Sequence, residues 1–294
     1  MSRVIDVIAA RLLEGSLVPY LGAGLARDPV YPAGPHALAE WLAARSPVPA
    51  HALGHLEATA GWIETQRSRR DLVKLLREAF SSHGEPDPLH LLLAGLPCLP
   101  LTVSGWYDST WYDVLVDAAQ AGGRSVALVH GLSPQDGRGV FFSAPEAPGL
   151  TQAELADTVL YQPLGACHPA PSFLASEGDL ADLRLALETQ APVPPEVQRR
   201  RDGCGFLFVG CPFDDALERL LARATMRGAP GPHFALLTEP SAGAARTFLS
   251  EEGIIPVELT SQRFVAEVSR RLARPGPGPL ARGHAAADAR REAP

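Results

Sequence analysis

The chain has 294 residues, about two modal domains' worth, with 46% hydrophobic and 20% charged residues, so a packed core forms and global disorder is excluded. A net charge of −7, with Lys74 as the single lysine, argues against direct binding to a nucleic-acid backbone and against lysine-based phosphate or Schiff-base chemistry. The longest apolar stretch, Leu89 to Val103, is broken by Pro97 and Pro100 and is too short to span a bilayer. The charged N-terminal segment does not read as a leader. Cys98, Cys167, Cys204 and Cys211 contain no Cys-x-x-Cys pair, so a zinc knuckle is not expected. These features predict a soluble, cytoplasmic protein of a reducing compartment.

In chain order, Val4, Ile5, Ile8, Leu12 and Leu13 recur at helical spacing and predict a helix over 2–14. Leu17 to Leu21 reads as a short buried strand, weakened by Pro19. The turn Gly22-Ala23-Gly24 follows. A helix is expected from His36 to Arg45, and 50–95 holds two or three more, one starting near Ser68. Strands are predicted at Leu99–Val103, Ser125–Val129, Val140–Ser143 and Thr158–Tyr161, and a helix at Trp111–Gln120. Ser176 and Asp179 have capping-box spacing and open a helix reaching about Thr189. Pro192, Pro194 and Pro195 mark an exposed loop. From Gly205 onward strands and helices alternate regularly: strands at Gly205–Val209, His233–Leu237 and Ile254–Leu259, helices at Asp214–Met226, Ser241–Glu252 and Ser261–Ala273. That alternation predicts a doubly wound α/β fold with a parallel sheet. Residues 1–273 then form one α/β domain with a small helical insertion at about 36–95, and 274–294 a disordered tail.

Glycine directly after a strand lets backbone amides approach a pyrophosphate, and in open parallel sheets ligands sit beyond the carboxyl ends of strands. The Gly22-Ala23-Gly24 turn is one such end, and a tight turn packing strand against helix accounts for it equally. Ser104-Gly105-Trp106-Tyr107-Asp108, Leu164-Gly165 and Gly210-Cys211-Pro212-Phe213-Asp214-Asp215 are three more, and together they suit one shared cleft. Asp214 or Asp215 also reads as a helix N-cap. His51 and His55, four apart with Glu57 nearby, have the spacing of a metal pair on a helix, but no third ligand presents itself and no metal is assigned. Ser104, Cys167 and Cys211 have no evident base partner. The clusters Arg67, Arg69, Arg70 and Arg199, Arg200, Arg201 read as solvated surface.

Taken in order, these segments resemble the sirtuin (Sir2-type) superfamily, in its divergent, zinc-free bacterial branch. Leu21 to Ala26 is similar to the family's Gly-Ala-Gly-x-Ser phosphate loop, and Pro32 with Gly34-Pro35 to the element that follows it. Leu96 to Asp108 is similar to the strand ending Thr-x-Asn-x-Asp, Tyr161 to Gly165 to Lys-hydrophobic-His-Gly, and Ser176 to Asp179 to the acidic segment after it. Phe206 to Asp214 is similar to the late strand with Gly-x-Ser. The resemblance spans roughly residues 4–272. It implies a Rossmann-like sheet, NAD or ADP-ribose as ligand, no zinc, and cleavage of the nicotinamide–ribose bond as the family's chemistry. By the same resemblance Gly22, Ala23 and Gly24 would hold the pyrophosphate, Gly210 and Asp214 the adenosine side, Trp106 the nicotinamide side and Asp108 the ribose or nicotinamide side, with Gly165 also among the cofactor-binding residues.

The departures fall on the chemistry. Trp106 stands where the family has its Asn, Leu164 where it has its general-base His, and Ala26 where it has the loop Ser. An indole cannot accept a hydrogen bond and Leu cannot take a proton, so the expected protein is a catalytically degenerate nucleotide binder: a sensor, scaffold or regulatory subunit, working as a homo-oligomer or with a separate protein partner. The alternatives are an active NAD glycohydrolase of anti-phage defence, with His168 as base and Asp108 nearby, and a protein-interaction module whose cleft is empty.

Overall fold

A computed structural model describes residues 2–25, 31–82, 84–130, 140–143, 156–166, 172–189 and 193–273. It opens with α1 (Ser2–Leu13), which buries Ile5, Ile8, Ala9 and Leu12, one stripe of a 3.6-residue period. Next come β1 (Leu17–Leu21) and a 3-10 turn, Ala23–Leu25. Four helices precede the next strand: α2 (Pro35–Ala43), α3 (Leu56–Gln66), α4 (Arg69–Ala79) and α5 (Pro88–Ala94). Then follow β2 (Leu101–Ser104), α6 (Thr110–Ala121), β3 (Val126–His130), β4 (Val140–Ser143) and β5 (Thr158–Gln162). The rest is α7 (Glu177–Thr189), α8 (Pro195–Arg201), β6 (Gly205–Val209), α9 (Ala216–Met226), β7 (His233–Leu237), α10 (Gly243–Glu251), β8 (Ile254–Glu258) and α11 (Ser261–Leu272).

The strands form one sheet in the order β4-β3-β5-β2-β1-β6-β7-β8. All neighbours are parallel except β4, which pairs antiparallel with β3 at the edge. From β1 the chain winds outward through β2 to β3 and β5, then returns to the other side of β1 with β6 and winds outward again. The expected doubly wound parallel sheet is therefore present, with its switch point between β1 and β6. Period-two alternation sorts the side chains onto two faces. Val18, Tyr20, Val103, Tyr161, Phe206 and Phe208 enter one core cluster, and Leu17, Leu21, Leu128, Leu160, Leu207 and Val209 the other.

Pro19 sits in a central strand, where proline is disfavoured. Its carbonyl faces β2, accepting from Thr102 Oγ1 at 3.2 Å, and pairing with β2 begins only at Tyr20. The missing N–H thus falls on the side where the ladder has not started. Between β1 and β2, α2, α3 and α4 pack through Leu38, Leu42, Ile63, Leu72 and Leu76 onto the first core face. Helix α5 instead lies on the opposite face, against α6 and α11, through Leu89 and Leu93. Ser68 caps α4, accepting from Asp71 N at 3.1 Å. The Ser176–Asp179 capping box closes in both directions: Ser176 Oγ accepts from Asp179 N, and the Asp179 carboxylate accepts from Ser176 N.

Of the exposed proline loop expected at Pro192, Pro194 and Pro195, Pro192 lies outside the described residues and the other two positions are corrected. Pro194 precedes a short helix, α8, with Pro195 at its first position, where the absent N–H costs nothing. The arginines of α8 are also not merely solvated. Arg200 pairs with Glu196 and donates to the carbonyls of Pro100, Ala156 and Asp157, at the starts of β2 and β5. Arg201 donates to the carbonyls of Ala224 and Thr225. Charged hydrogen bonds of this kind contribute roughly 1.5–3 kcal/mol each when their loss strands a partner. Arg200→Met is therefore expected to lower stability by about 2–4 kcal/mol in urea unfolding, allowing for water replacing part of the loss. A change below about 0.5 kcal/mol, ordinary for a surface residue, would make Arg200 a bystander.

Candidate functional site

The carboxyl ends of β1 and β6 meet at their glycines. Gly210 has φ +68, and a Cβ there would lie 2.5 Å from Leu25 N. A Cβ on Gly22 would lie 2.5 Å from Gly210 O and 2.6 Å from Cys211 Sγ, and one on Gly24 would lie 2.9 Å from Gly210 O. Only glycine allows the two loops to touch this closely. The amides follow suit: Gly22 N donates to Val209 O at 2.8 Å and Gly24 N to Gly210 O at 2.9 Å. These two N–H groups are spent on joining the loops, so the turn offers a ligand its contour rather than that pair of donors.

Above this junction lies a cleft of about 780 Å³, within the size range of small-molecule sites. Tyr20 and the Gly22-Ala23-Gly24 turn line it from β1, and Gly105, Trp106 and Tyr107 from the end of β2. Leu164 lines it from the loop after β5. Asp214, Asp215 and Glu218 do so around the start of α9. The opposite wall comes from His36, His55 and Glu57 around α2 and α3, and from Glu177, Leu180 and Arg184 on α7. Arg184 donates to Glu57 at 3.5 Å, joining the two sides of that wall. Arg69 on α4 ties the same parts together, donating to Asp179 at 2.6 Å and to the Phe173 carbonyl.

Of the residues singled out in the sequence, Gly22, Ala23, Gly24, Trp106 and Asp214 line the cleft. Gly210 lies beneath it as part of the loop junction. Trp106 is 3% exposed; its indole N–H donates to Pro32 O at 3.1 Å, and its ring packs on Tyr107 and edge-on to Phe80. Leu164, the other substituted position, is 4% exposed. Asp108 does not line the cleft: its carboxylate accepts from Thr110 N at 3.0 Å and from Tyr31 at 3.5 Å, beside the start of α6. Gly165, at φ +77, is packed so that a Cβ would strike Ser172 O, and it positions Leu164. His168, Cys167 and Ala26 lie outside the described residues. The helical spacing expected for His51 and His55 is not realised, because 50–54 is a series of turns and α3 begins at Leu56. His51 faces a neighbouring depression of about 560 Å³ and packs edge-on to Trp62, whereas His55 borders the main cleft.

Electrostatically the cleft carries more carboxylates than cations, but most are accounted for. Glu57 pairs with Arg184, and Asp215 accepts from Leu217 N and Glu218 N as the cap of α9. Burial pushes the Glu218 carboxyl up to about 8, against the opposing pull of the Phe213 amide, which donates to it. Burial, followed by the Glu218 charge, also holds the Cys211 thiol well above its usual value, so Cys211 is not a poised nucleophile. At the end of β3, burial lowers His130 to about 4; its ring bonds Ser172.

A parallel sheet covered on both faces, with a cleft over the switch point, defines a doubly wound α/β domain, the class of fold in which ligands sit at the strand ends. A family model described as "SIR2-like domain" matches residues 107–257, just over half of the sequence, and the chain belongs to that family. The matched segment includes every cleft element from Tyr107 onward and leaves out the glycine turn after β1. A solved structure described as "Structural Basis for the Mechanism and Regulation of Sir2 Enzymes" is 15% identical, over 92% of this chain and 99% of that one, with a TM-score of 0.39. No curated protein matches the sequence.

Proposed function

We propose that the cleft binds NAD, ADP-ribose or a related adenine nucleotide, and that the protein acts as a sensor or regulatory subunit rather than through turnover. The observation that carries this reading is that Trp106 and Leu164, at the two positions where the resembling family has Asn and His, both border the cleft. The site keeps its volume and its loop junction while presenting an indole whose only N–H is already taken and a side chain that accepts no proton. The residues present suit such a ligand in kind: apolar and aromatic surface from Tyr20, Trp106, Tyr107 and Leu164 for rings, and carboxylates at the rim for ribose hydroxyls. When bound, NAD brings a cleavable nicotinamide–ribose bond. General-base help typically contributes ~10²–10⁴ in rate, and no such group stands at the two family positions. The cytoplasmic setting, and work as a homo-oligomer or with a separate protein, belong to the same proposal.

The test pairs two measurements on the native chain. Millimolar NAD and ADP-ribose are expected to raise the melting temperature, as any ligand that binds only the folded state must. Chromatography after incubation with NAD is expected to show no enzyme-dependent nicotinamide. Nicotinamide release abolished by His168→Ala would instead establish the glycohydrolase. Absence of any thermal shift, with Trp106→Asn as well as with the native chain, would sink nucleotide binding.

A further inference from the structure

Tyr20 stands inside the sheet, on β1 between β2 and β6, in a strand buried along its whole length. Its neighbours in register are Val103 on β2 and Phe208 on β6, and its ring packs on Phe208 at 5.1 Å between centroids. A phenylalanine would fill that place as well and would bury no hydroxyl. The end of the phenol reaches Gly105, one residue past β2. A Cβ on Gly105 would lie 2.9 Å from Tyr20 Cε1 and 3.0 Å from the Tyr20 hydroxyl oxygen. Glycine at 105 therefore leaves room for the phenol, and Tyr20 and Gly105 line the cleft together. Tyr20 is 1% exposed, yet its hydroxyl bonds to none of the described residues, and unlike the Tyr161 hydroxyl it is not sealed from solvent. The polar tips of the other cleft aromatics are taken: the Trp106 N–H donates to Pro32 O, and the Tyr107 hydroxyl donates to Leu174 O at 2.7 Å. Polar groups this deeply set are nearly always paired within the fold, so one left open to a cleft calls for a partner from outside it.

We propose that Tyr20 is a ligand-binding and specificity-determining residue of the cleft, its phenol O–H donating a hydrogen bond to an oxygen acceptor of the bound molecule. This rests on the nucleotide reading of the cleft and deepens it by naming a residue that selects the ligand. In the empty cleft, solvent satisfies the hydroxyl. A ligand that enters displaces that solvent, and it must return an acceptor or leave the O–H stranded. An apolar group placed against Tyr20 loses affinity, whereas an oxygen of a phosphate-ribose ligand restores the bond. A site that holds out a buried donor discriminates strongly against molecules that cannot meet it. Burial, followed by the nearby Cys211 and Glu218, holds the phenol well above its ordinary value, so it remains a neutral donor. Neutrality matters beside so many carboxylates. A cation there is drawn into an ion pair, as Arg184 is by Glu57, and the phenol O–H is left available.

Tyr20→Phe removes the O–H and keeps the ring, and two measurements on the full chain test the assignment. Calorimetry with ADP-ribose is expected to show binding weakened by about threefold to 100-fold, the span from a neutral to a charged acceptor. The ligand-free melting temperature is expected to stay within about 3 °C of the native value, because no protein group loses a partner. A tyrosine with a structural role alone gives the reverse pattern. Its hydroxyl would hold part of the fold, so the Phe variant would melt lower and bind ADP-ribose as before. An affinity loss below about threefold overturns the assignment of Tyr20, as does a ligand-free melting temperature lowered by more than about 3 °C. Absence of ADP-ribose binding by the native chain and the variant alike would instead overturn the nucleotide reading on which it rests.

Discussion

Gly210→Ala is expected to lower stability by about 2–5 kcal/mol, the sum of a left-handed alanine at about 1–2 kcal/mol and of overpacking at about 1–3 kcal/mol. Both costs arise at one point. The residue has φ +68, and the new methyl would press on Leu25 N at 2.5 Å and on Gly22 O and Gly24 C at 3.0 Å. All three contacts are backbone, which cannot rotate away as a side-chain tip would. Relief requires separating the β1 and β6 loops, which breaks the Gly22–Val209 and Gly24–Gly210 hydrogen bonds. Gly203→Ala is the matched control, since Gly203 has φ +78 but no atom within 4 Å of its Cβ position. Its cost should be limited to the conformational part, about 1–2 kcal/mol. Urea unfolding of the two variants separates the effects. Equal losses would show that the loop junction has slack, and the account of why β1 and β6 end in glycine would fail. If the junction does set the cleft floor, Gly210→Ala should also weaken nucleotide binding more than its stability loss predicts, while Gly203→Ala should leave binding unchanged.

Trp106→Ala is expected to cost about 3–5 kcal/mol, the range for truncating a buried tryptophan. The indole is 3% exposed, contacts Tyr107 at 4.9 Å and Phe80 at 6.0 Å between ring centroids, and holds Pro32 O through its N–H. Phe80 belongs to the helices between β1 and β2, so the ring joins that group to the end of β2. Truncation would open space beside Gly105 and deepen the cleft on that side. Trp106→Phe, which keeps the ring contacts and drops the N–H, should lose about 1–2 kcal/mol, with the Pro32 carbonyl as the group left without its donor. A Trp106→Ala loss below about 1 kcal/mol would mean that the indole covers the cleft without supporting it. In that case its presence at the position of the family's Asn would bear on ligand choice alone.

The secondary structure was legible wherever it depends on local chemistry. The α1 stripe, the Ser68 cap, the reciprocal Ser176–Asp179 box and the regular alternation after Gly205 are signals confined to a few neighbouring residues. The doubly wound sheet followed from that alternation, because parallel strands need crossover helices and those helices must cover both faces. Reading fell short where a residue's partner is distant in sequence. Pro194 and Pro195 suggested a loop, and nothing local reveals that Arg200 of α8 binds carbonyls 43–100 residues away. Asp108 looked like a cleft residue from its place after β2, yet the nearest unmet need is the amide of Thr110.

For the site, the sequence by itself determined which strand ends carry glycine and which two positions depart from the resembling family: Trp106 for Asn and Leu164 for His. Those are matters of residue identity and order, and the structure adds that both side chains line the cleft. The tertiary structure alone decided three things. It spent the Gly22 and Gly24 amides on the β6 loop. It brought α3 and α7 together as the cleft's far wall, through Glu57 and Arg184, 127 residues apart. It also carried the Glu218 carboxylate past its own helix start to accept from Phe213 N. The reason is the same in each case. Hydrogen-bond commitment, charge pairing and desolvation depend on what surrounds a group in space, and residue identity supplies only the group.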